Sequence, residues 1–278
     1  MKQFSNIYVL MFSSIMVIIV ATLLSFVSMK LKPRQIKNEE IEQMKNILAS
    51  VNIECDTKDA EEKFNMYINE SYVINIHGDT LEDIEVFSVN MKKELAKIQK
   101  INALKDKLVE KKKSPLSKFM SGIFNFRETD KSATESEILK IEKIRQLPVY
   151  ICKKGERNYF IFSLRGKGLW GPIWGYLSLE GDFNTVYGTY FGHETETPGL
   201  GAVISTAKFQ SQFQGKKLFT NSKFVSVNVV KGGTEPGDLH GVDAISGSTV
   251  TSAGVEKMLY DCLYGYIEFI NKQSVDYE

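Results

Sequence analysis

The chain has 278 residues, a length that allows one sizeable domain or two small ones with a stable core. Its 35 Lys and Arg residues nearly balance its 34 Asp and Glu residues, so it lacks the strongly basic face that nucleic-acid binding requires. The three cysteines are far apart and form no C-x-x-C pair, which argues against a zinc or iron–sulfur site and against a disulfide framework. We therefore expect neither a nucleic-acid partner nor a metal site.

Residues 1–30 predict a membrane anchor. No charged residue occurs from Phe4 to Met29, and the apolar stretch Ile7–Val27 is long enough as a helix to cross a hydrocarbon core of roughly 30 Å. A cleaved signal peptide is the alternative, but its apolar region would be shorter, and Leu24–Met29 is a poor match to a cleavage site. We therefore expect a single uncleaved transmembrane helix.

Residues 31–145 are predicted to form a helical stalk and an insertion region. Asn38–Val51 has the apolar spacing of an amphipathic helix, and Thr57–Ile68 has a weaker form of it. Ser71–Ile76 alternates as a strand, so strands between residues 70 and 90 are expected to join the sheet of the following domain.

The insertion region, Lys92–Arg145, is charged and helical in character. Its piece Phe119–Phe126 is more apolar than a free loop should be. This piece is expected to rest on the membrane surface or on a neighbouring subunit, with simple packing against its own domain as the alternative.

Residues 146–278 are predicted to form a domain of the α+β class, in which an antiparallel sheet packs against helices. Alternation and a high content of β-branched and aromatic residues indicate strands at Leu147–Cys152, Tyr159–Leu164, Tyr187–His193 and Phe224–Val230. Apolar residues recur at i, i+3 and i+4 from Val255 to Ile270, which indicates a helix with one buried face.

The stretch Asp243–Ser252 places a glycine and five hydroxyl groups just before this helix: Ser246, Ser248, Thr249, Thr251 and Ser252. A helix N-terminus has unpaired N–H groups and the positive end of the helix dipole, so it favours an anion such as phosphate. The alternative is an ordinary helix cap and turn, because Ser and Thr cap helices frequently. This stretch alone does not decide between the two.

The pattern Asp-x-x-Ser-Gly-Ser-Thr-x-Thr over residues 243–251 resembles the flavinylation motif of the FMN-binding domain family, Asp-x-x-Ser/Thr-Gly-Ala-Thr/Ser-x-Thr. In that family the phosphate of FMN is esterified to the last Thr, so the resemblance implies covalent FMN on Thr251. Ser248 stands where the family has Ala, a change that keeps the side chain small. The remaining motif positions, which the resemblance also places at the cofactor, are Asp243, Ser246, Gly247 and Thr249.

A second segment, Glu196–Gly201, is predicted to be a rigid and tightly turned loop, because Pro198 fixes one φ angle and its glycines permit positive ones. Its sequence, Glu-Thr-Pro-Gly-Leu-Gly, resembles the second signature of the same family, in which this loop lies against the isoalloxazine ring. The resemblance therefore implies flavin contacts for Glu196, Thr197, Gly199 and Leu200.

Upstream, residues 166–176 contain five Gly or Pro residues and both tryptophans of the chain. A backbone that turns so often beside large aromatic residues can approach a flat ligand, which makes Trp170 a candidate for contact with the ring. The alternative is a glycine-rich hairpin that packs over the core.

Both motifs behind one N-terminal anchor resemble the NqrC family, whose members are flavin-bearing subunits of the Na+-translocating NADH:quinone reductases. Gly168–Gly171 favours this family over its relative, the RnfG family of the Rnf-type electron-transport complexes. The resemblance implies a flavoprotein subunit that relays electrons within the complex and is not catalytic alone. Its implied partners are the other subunits, membrane lipid and a flavin transferase that uses FAD and Mg2+.

Two alternatives remain open at this point, namely the Rnf-type subunit and a flavin-free, membrane-tethered interaction module. A flavoprotein reductase that acts alone is disfavoured, because no G-x-G-x-x-G fingerprint follows a strand.

The orientation of the anchor is ambiguous from charge. Only Lys2 precedes the apolar stretch, whereas Lys30, Lys32, Arg34 and Lys37 follow it, so the charge count places the C-terminal part in the cytoplasm. The family resemblance implies the opposite, an inner-membrane protein whose flavin domain lies in the periplasm. Because a large domain behind a single anchor can be translocated regardless of such counts, we expect the periplasmic orientation.

Overall fold

The computed structural model describes residues 5–113 and 126–276, and their side chains except for those of residues 109–113, 126–131, 275 and 276. The apolar piece predicted to rest on a surface, Phe119–Phe126, therefore lies outside the described side chains. Backbone contacts divide the chain into two compact units, one up to Met44 and the other from Lys45 onward. The boundaries expected from sequence at residues 30 and 145 stay predictions.

Helix α1 spans Asn6–Ser50 without interruption. It is long and apolar enough to cross a membrane, and every described side chain from residue 5 to residue 39 is exposed. The helix predicted at Asn38–Val51 is present up to Ser50, as the continuation of α1 past Pro33. A proline removes only one backbone hydrogen bond, and no glycine occurs in this stretch to end the helix.

The core of the second unit is a five-stranded antiparallel sheet, so the predicted α+β class, with an antiparallel sheet packed against helices, is confirmed. The strands are β1 Ile68–Ile74, β2 Leu147–Lys154, β3 Arg157–Lys167, β4 Pro172–Leu179 and β5 Val186–His193. Their order in the sheet is β1-β2-β3-β4-β5. Strand β1 lies at one edge and is separated from β2 in sequence by the insertion region.

Two C-terminal helices cover one face of the sheet. Helix α6 (Thr249–Leu263) and helix α7 (Ile267–Asp276) are joined by a 3-10 turn at Tyr264–Tyr266, so the predicted helix is interrupted there. The ring of Phe162 on β3 lies 4.7 Å from that of Tyr266, centroid to centroid. The apolar residues whose spacing predicted the helix are therefore the ones that pack against the sheet.

The opposite face of the sheet is covered by helix α2 (Ala60–Tyr67) and by the last turns of α1. The ring of Phe64 meets that of Tyr150 edge-on at 6.2 Å. The Ser178 hydroxyl donates a hydrogen bond to the Ser50 carbonyl at 2.6 Å, which holds the end of α1 against β4.

The insertion region supplies helix α3 (Met91–Lys113) and helix α4 (Phe126–Lys143). They share a small apolar cluster that consists of Ile101, Leu104, Ile138 and Ile141. An ion pair between Lys100 and Glu137, at 2.7 Å, lies on their exposed side. The helical character expected from composition is thus present on both sides of the undescribed segment.

Shorter elements lead to the flavinylation-like motif. They are α5 Ala207–Gln210, β6 Phe219–Thr220, β7 Lys223–Phe224, β8 Asn228–Val230 and β9 Gly241–Asp243, with 3-10 helices at Val86–Ser88, Gly201–Ser205 and Ser211–Phe213. The prediction of one strand over Phe224–Val230 is wrong, because Ser226 has a φ of 63° and this left-handed residue ends the pairing. Strand β8 pairs in parallel with β9, which runs directly into the motif at Asp243.

Candidate functional site

The hydroxyl-rich motif forms a turn and the first turn of α6. Gly247 has a φ of 74°, a left-handed conformation that favours glycine. The Ser252 hydroxyl accepts a hydrogen bond from the backbone N–H of Ile245 at 3.1 Å and so holds the turn against the helix. Ser248 is the residue before the helix, but its side chain makes no capping hydrogen bond. The turn is therefore held by the hydroxyl of Ser252, the last of the five hydroxyl residues of this stretch.

Thr251, the predicted acceptor of the flavin, lies in the first turn of α6 and is completely buried. Its hydroxyl donates a hydrogen bond to Oε2 of Glu196 at 2.7 Å. The other carboxylate oxygen of Glu196 accepts a hydrogen bond from the backbone N–H of Trp170 at 2.9 Å. Three segments that are distant in sequence thus meet at one buried carboxylate.

Two glycines make room for this carboxylate. A Cβ on Gly168 would lie 2.4 Å from Oε1 of Glu196, and a Cβ on Gly201 would lie 2.1 Å from Oε2. Real Cβ atoms do not approach other atoms so closely, so any larger residue at either position would displace the carboxylate. Gly168 and Gly201 therefore leave the space that the hydrogen bond between Thr251 and Glu196 requires.

The position of α6 on the sheet depends on a close approach to the end of β3. A Cβ on Gly254 would lie 2.5 Å from the carbonyl oxygen of Lys167, and a Cβ on Gly166 would lie 2.7 Å from Cβ of Met258. Because the helix backbone contacts the strand directly, Thr251 lies beside the turn that joins β3 to β4. That turn carries Trp170.

Apolar side chains remain exposed around the buried hydroxyl. Trp170 is 66% exposed and Leu200 is 41% exposed, although both are large and apolar. Leu200 lies against the motif, since a Cβ on Gly247 would be 3.0 Å from its Cδ2. Leu169 and Val250 are also about half exposed, and the sequence reasoning did not select either. Such exposed apolar side chains beside a polar site are typical of a surface that a ligand or partner covers.

The structure does not bring every candidate residue to Thr251. The carboxylate of Asp243 accepts two hydrogen bonds from Thr234, at 2.8 Å from its backbone N–H and at 2.9 Å from its hydroxyl. These bonds hold the pKa of Asp243 below its ordinary value. Asp243 therefore fixes the loop before the motif.

Other candidates lie at the surface beside the site. Ser246, Thr249 and Thr197 are exposed. The backbone carbonyl of Thr197 accepts hydrogen bonds from the N–H groups of Leu200 and Ala202, both at 3.1 Å, which closes the tight loop. Gly199 has a φ of 75°, as expected for this turn. Within the described ranges, no group of three His, Cys, Asp or Glu side chains is arranged to hold a metal ion.

The chain matches known proteins over this part. A model of the FMN-binding domain family matches residues 168–264, which include Trp170, Glu196 and Thr251. The NqrC protein of the Na(+)-translocating NADH-quinone reductase of Vibrio anguillarum is 41% identical over 109 residues, or 39% of this chain and 43% of that protein. The matched segment thus spans less than half of this relative.

Other matches extend further. The Pasteurella multocida protein of the same name is 32% identical over 236 residues, which cover 81% of this chain and 77% of that protein. The crystal structure of the corresponding protein from Parabacteroides distasonis is 34% identical and has a TM-score of 0.65, with 86% of this chain and 96% of that chain covered. The Shewanella oneidensis structure is 25% identical with a TM-score of 0.61. Similarity therefore extends well beyond the matched domain.

Proposed function

Because the chain belongs to the NqrC family of Na(+)-translocating NADH-quinone reductase subunits, we propose that it is the membrane-anchored flavoprotein subunit of such a complex. In this proposal FMN is bound covalently through a phosphoester to Thr251. The bound flavin supplies reversible electron transfer, and the protein supplies position and electrostatics. The subunit relays electrons between partners in neighbouring subunits, while NADH, the quinone and Na+ are handled elsewhere in the complex.

The observation that carries this proposal is the hydrogen bond between Thr251 and Glu196, at 2.7 Å. Each residue belongs to a different segment that resembles a signature of the family. The fold brings the two segments together at a hydroxyl group, which is the chemical group that a phosphoester requires. The match to an FMN-binding domain over residues 168–264 supports the same assignment and does not favour a flavin-free module.

The residues around Thr251 fit an FMN molecule. The first N–H groups of α6 have no partner within the helix, and Thr251 lies in that first turn, so the helix N-terminus can stabilise the charge of a phosphate bound to it. The exposed hydroxyls of Ser246 and Thr249 flank this position and can donate hydrogen bonds to phosphate oxygens. Trp170 and Leu200 offer exposed apolar surface that can contact a flat ring.

The proposal extends to the membrane and to the partners. Helix α1 is the single-pass anchor in contact with lipid, and the flavin domain lies on the periplasmic side of the inner membrane. A flavin transferase that uses FAD and Mg2+ attaches the FMN. The named relatives are subunits of NADH-quinone reductases, which does not favour the RnfG alternative.

Peptide mass spectrometry on protein purified from membranes tests the proposal. In a host that contains the transferase, the wild-type peptide with Thr251 is expected to gain the mass of FMN less water. Thr251→Ala is expected to abolish the gain, whereas Thr251→Ser keeps an acceptor hydroxyl and is expected to retain it. An unmodified wild-type peptide from such a host would contradict the covalent assignment.

A further inference from the structure

Glu196 is an unusual neighbour for a modified hydroxyl. Its side chain is buried, with 4% of the residue exposed, and no salt bridge to it occurs among the described residues. A buried carboxylate is costly unless hydrogen bonds compensate it, and here one oxygen bonds the Trp170 N–H and the other bonds the Thr251 hydroxyl. The structure thus maintains an acceptor of protons directly at the hydroxyl of Thr251.

We propose that Glu196 accepts the proton of Thr251 when the flavin is attached, an inference that rests on the proposed function. The Thr251 oxygen forms a bond to the flavin-side phosphorus of FAD. The bond from that phosphorus to the oxygen of the AMP portion breaks, and AMP leaves with the electron pair. The proton passes from Oγ1 of Thr251 to Oε2 of Glu196 along the existing 2.7 Å hydrogen bond. No group is oxidised or reduced.

Charge supports this assignment. A Thr hydroxyl is a weak nucleophile at neutral pH and is activated by an adjacent base. The product also carries a negatively charged phosphodiester where the hydroxyl was, so an ionised carboxylate left in contact with it would be repelled. Once Glu196 has taken the proton, it is neutral and can donate a hydrogen bond to the product.

The second hydrogen bond keeps the base in place. The backbone N–H of Trp170 donates to Oε1 of Glu196 and does not depend on Thr251. The carboxylate therefore stays oriented when the Thr251 oxygen loses its proton and bonds to phosphorus. Thr251 itself is buried, so the inference requires its hydroxyl to become accessible to the transferase. Its helical neighbours Thr249 and Val250 are exposed, so Thr251 lies directly beneath the surface at this end of α6.

The test measures the attachment reaction itself. Full-length protein, produced without the transferase, is incubated with purified transferase, FAD and Mg2+, and covalent FMN is followed by intact mass and by flavin fluorescence in denaturing gels. Glu196→Gln keeps the shape, and its amide can donate to the Thr251 oxygen, but it cannot take the proton. We expect it to lower the maximal rate by about a hundredfold or more while the half-saturating acceptor concentration is unchanged.

Glu194→Gln is the matched control, because Glu194 lies two residues earlier in the same loop and is exposed; wild-type kinetics are expected. Glu196→Asp retains a proton acceptor, and we expect it to react at least tenfold faster than Glu196→Gln. Equal rates in Glu196→Asp and Glu196→Gln would overturn the inference. Wild-type kinetics of Glu196→Gln would also overturn it, as would a change in the half-saturating acceptor concentration without a change in the maximal rate. Any of these three results would leave the covalent attachment of FMN to Thr251 intact. An unmodified wild-type protein would instead contradict both the covalent attachment and the role of Glu196.

Discussion

Gly201 and Glu196 approach each other so closely that a methyl group on residue 201 would lie 2.1 Å from Oε2 of Glu196. The same methyl group would lie 2.9 Å from Oγ1 of Thr251. The small size of Gly201 therefore allows the hydrogen bond between Glu196, in the same loop, and Thr251, in the flavinylation-like motif.

Gly201→Ala is expected to destabilise the domain by about 1–3 kcal/mol, because the added methyl group must displace a buried carboxylate that is held by two hydrogen bonds. The same displacement is expected to lower the yield of covalent flavin. Urea unfolding measures the first effect and gel fluorescence the second. Gly181→Ala is the control, since its Cβ meets no atom within 4 Å. Equal behaviour of the two variants would show that the close approach has no energetic consequence.

Trp170→Ala separates ligand contact from folding. Trp170 is 66% exposed, and the backbone N–H that binds Glu196 is kept in alanine, so the free energy of unfolding of the unmodified protein is expected to change by less than about 0.5 kcal/mol. Flavin fluorescence of the modified protein is expected to rise, because a stacked tryptophan quenches it. Met66→Ala is the control, because it removes another exposed apolar side chain, on helix α2 at the opposite face of the sheet, and should leave the fluorescence unchanged.

Local patterns were sufficient for much of the fold. The helix face from Val255 to Ile270 and strands β2, β3 and β5 follow from the spacing of their apolar residues, because each element buries one face. Strand β4, Pro172–Leu179, was not predicted, because its glycine-rich start resembles a turn. The motifs pointed to Thr251 and Glu196 separately. Their hydrogen bond could not be predicted, since it depends on how α6 packs against β3 through Gly254.

Other features depend on conformations and contacts that local patterns do not mark. Ser226 adopts a left-handed conformation that its residue type does not require, so the strand predicted across it was too long. Asp243 fits the family motif, and its carboxylate also accepts two hydrogen bonds from Thr234 on the preceding loop, a contact that no sequence pattern indicates.

The buried thiols are expected to resist alkylation. Burial raises the pKa of Cys152 and of Cys262 to about 11, from an ordinary value of 9.0. Because two pKa units correspond to about a hundredfold fewer thiolates, and because both side chains are buried, neither should react with a thiol reagent at pH 8 in the folded protein. Cys55 is partly exposed and should react first. Peptide mapping after timed alkylation checks this order, and early labelling of Cys262 would contradict its packing against the carbonyl of Arg165.

The loop before the motif should weaken in acid. Thr234 donates two hydrogen bonds to Asp243 and lowers the pKa of that carboxyl below its ordinary value, so the charged carboxylate stabilises the folded loop above the ordinary pKa. This contribution is lost as the pH falls through the lowered, folded-state pKa. A carbon NMR titration of Asp243 is expected to give a midpoint below the ordinary pKa of an aspartate side chain.

Thr234→Ala separates the effects of the two hydrogen bonds that Thr234 donates to Asp243 on the pKa of that carboxyl. It removes the hydroxyl donor but keeps the backbone N–H, which makes the larger contribution to the lowered pKa. The midpoint of Asp243 should therefore rise only part of the way to its ordinary value. A midpoint that is ordinary already in the wild type would mean that Thr234 does not bind the carboxylate in solution. A full return in the variant would mean that the hydroxyl alone holds it, and the backbone bond at 2.8 Å would then have no measurable effect.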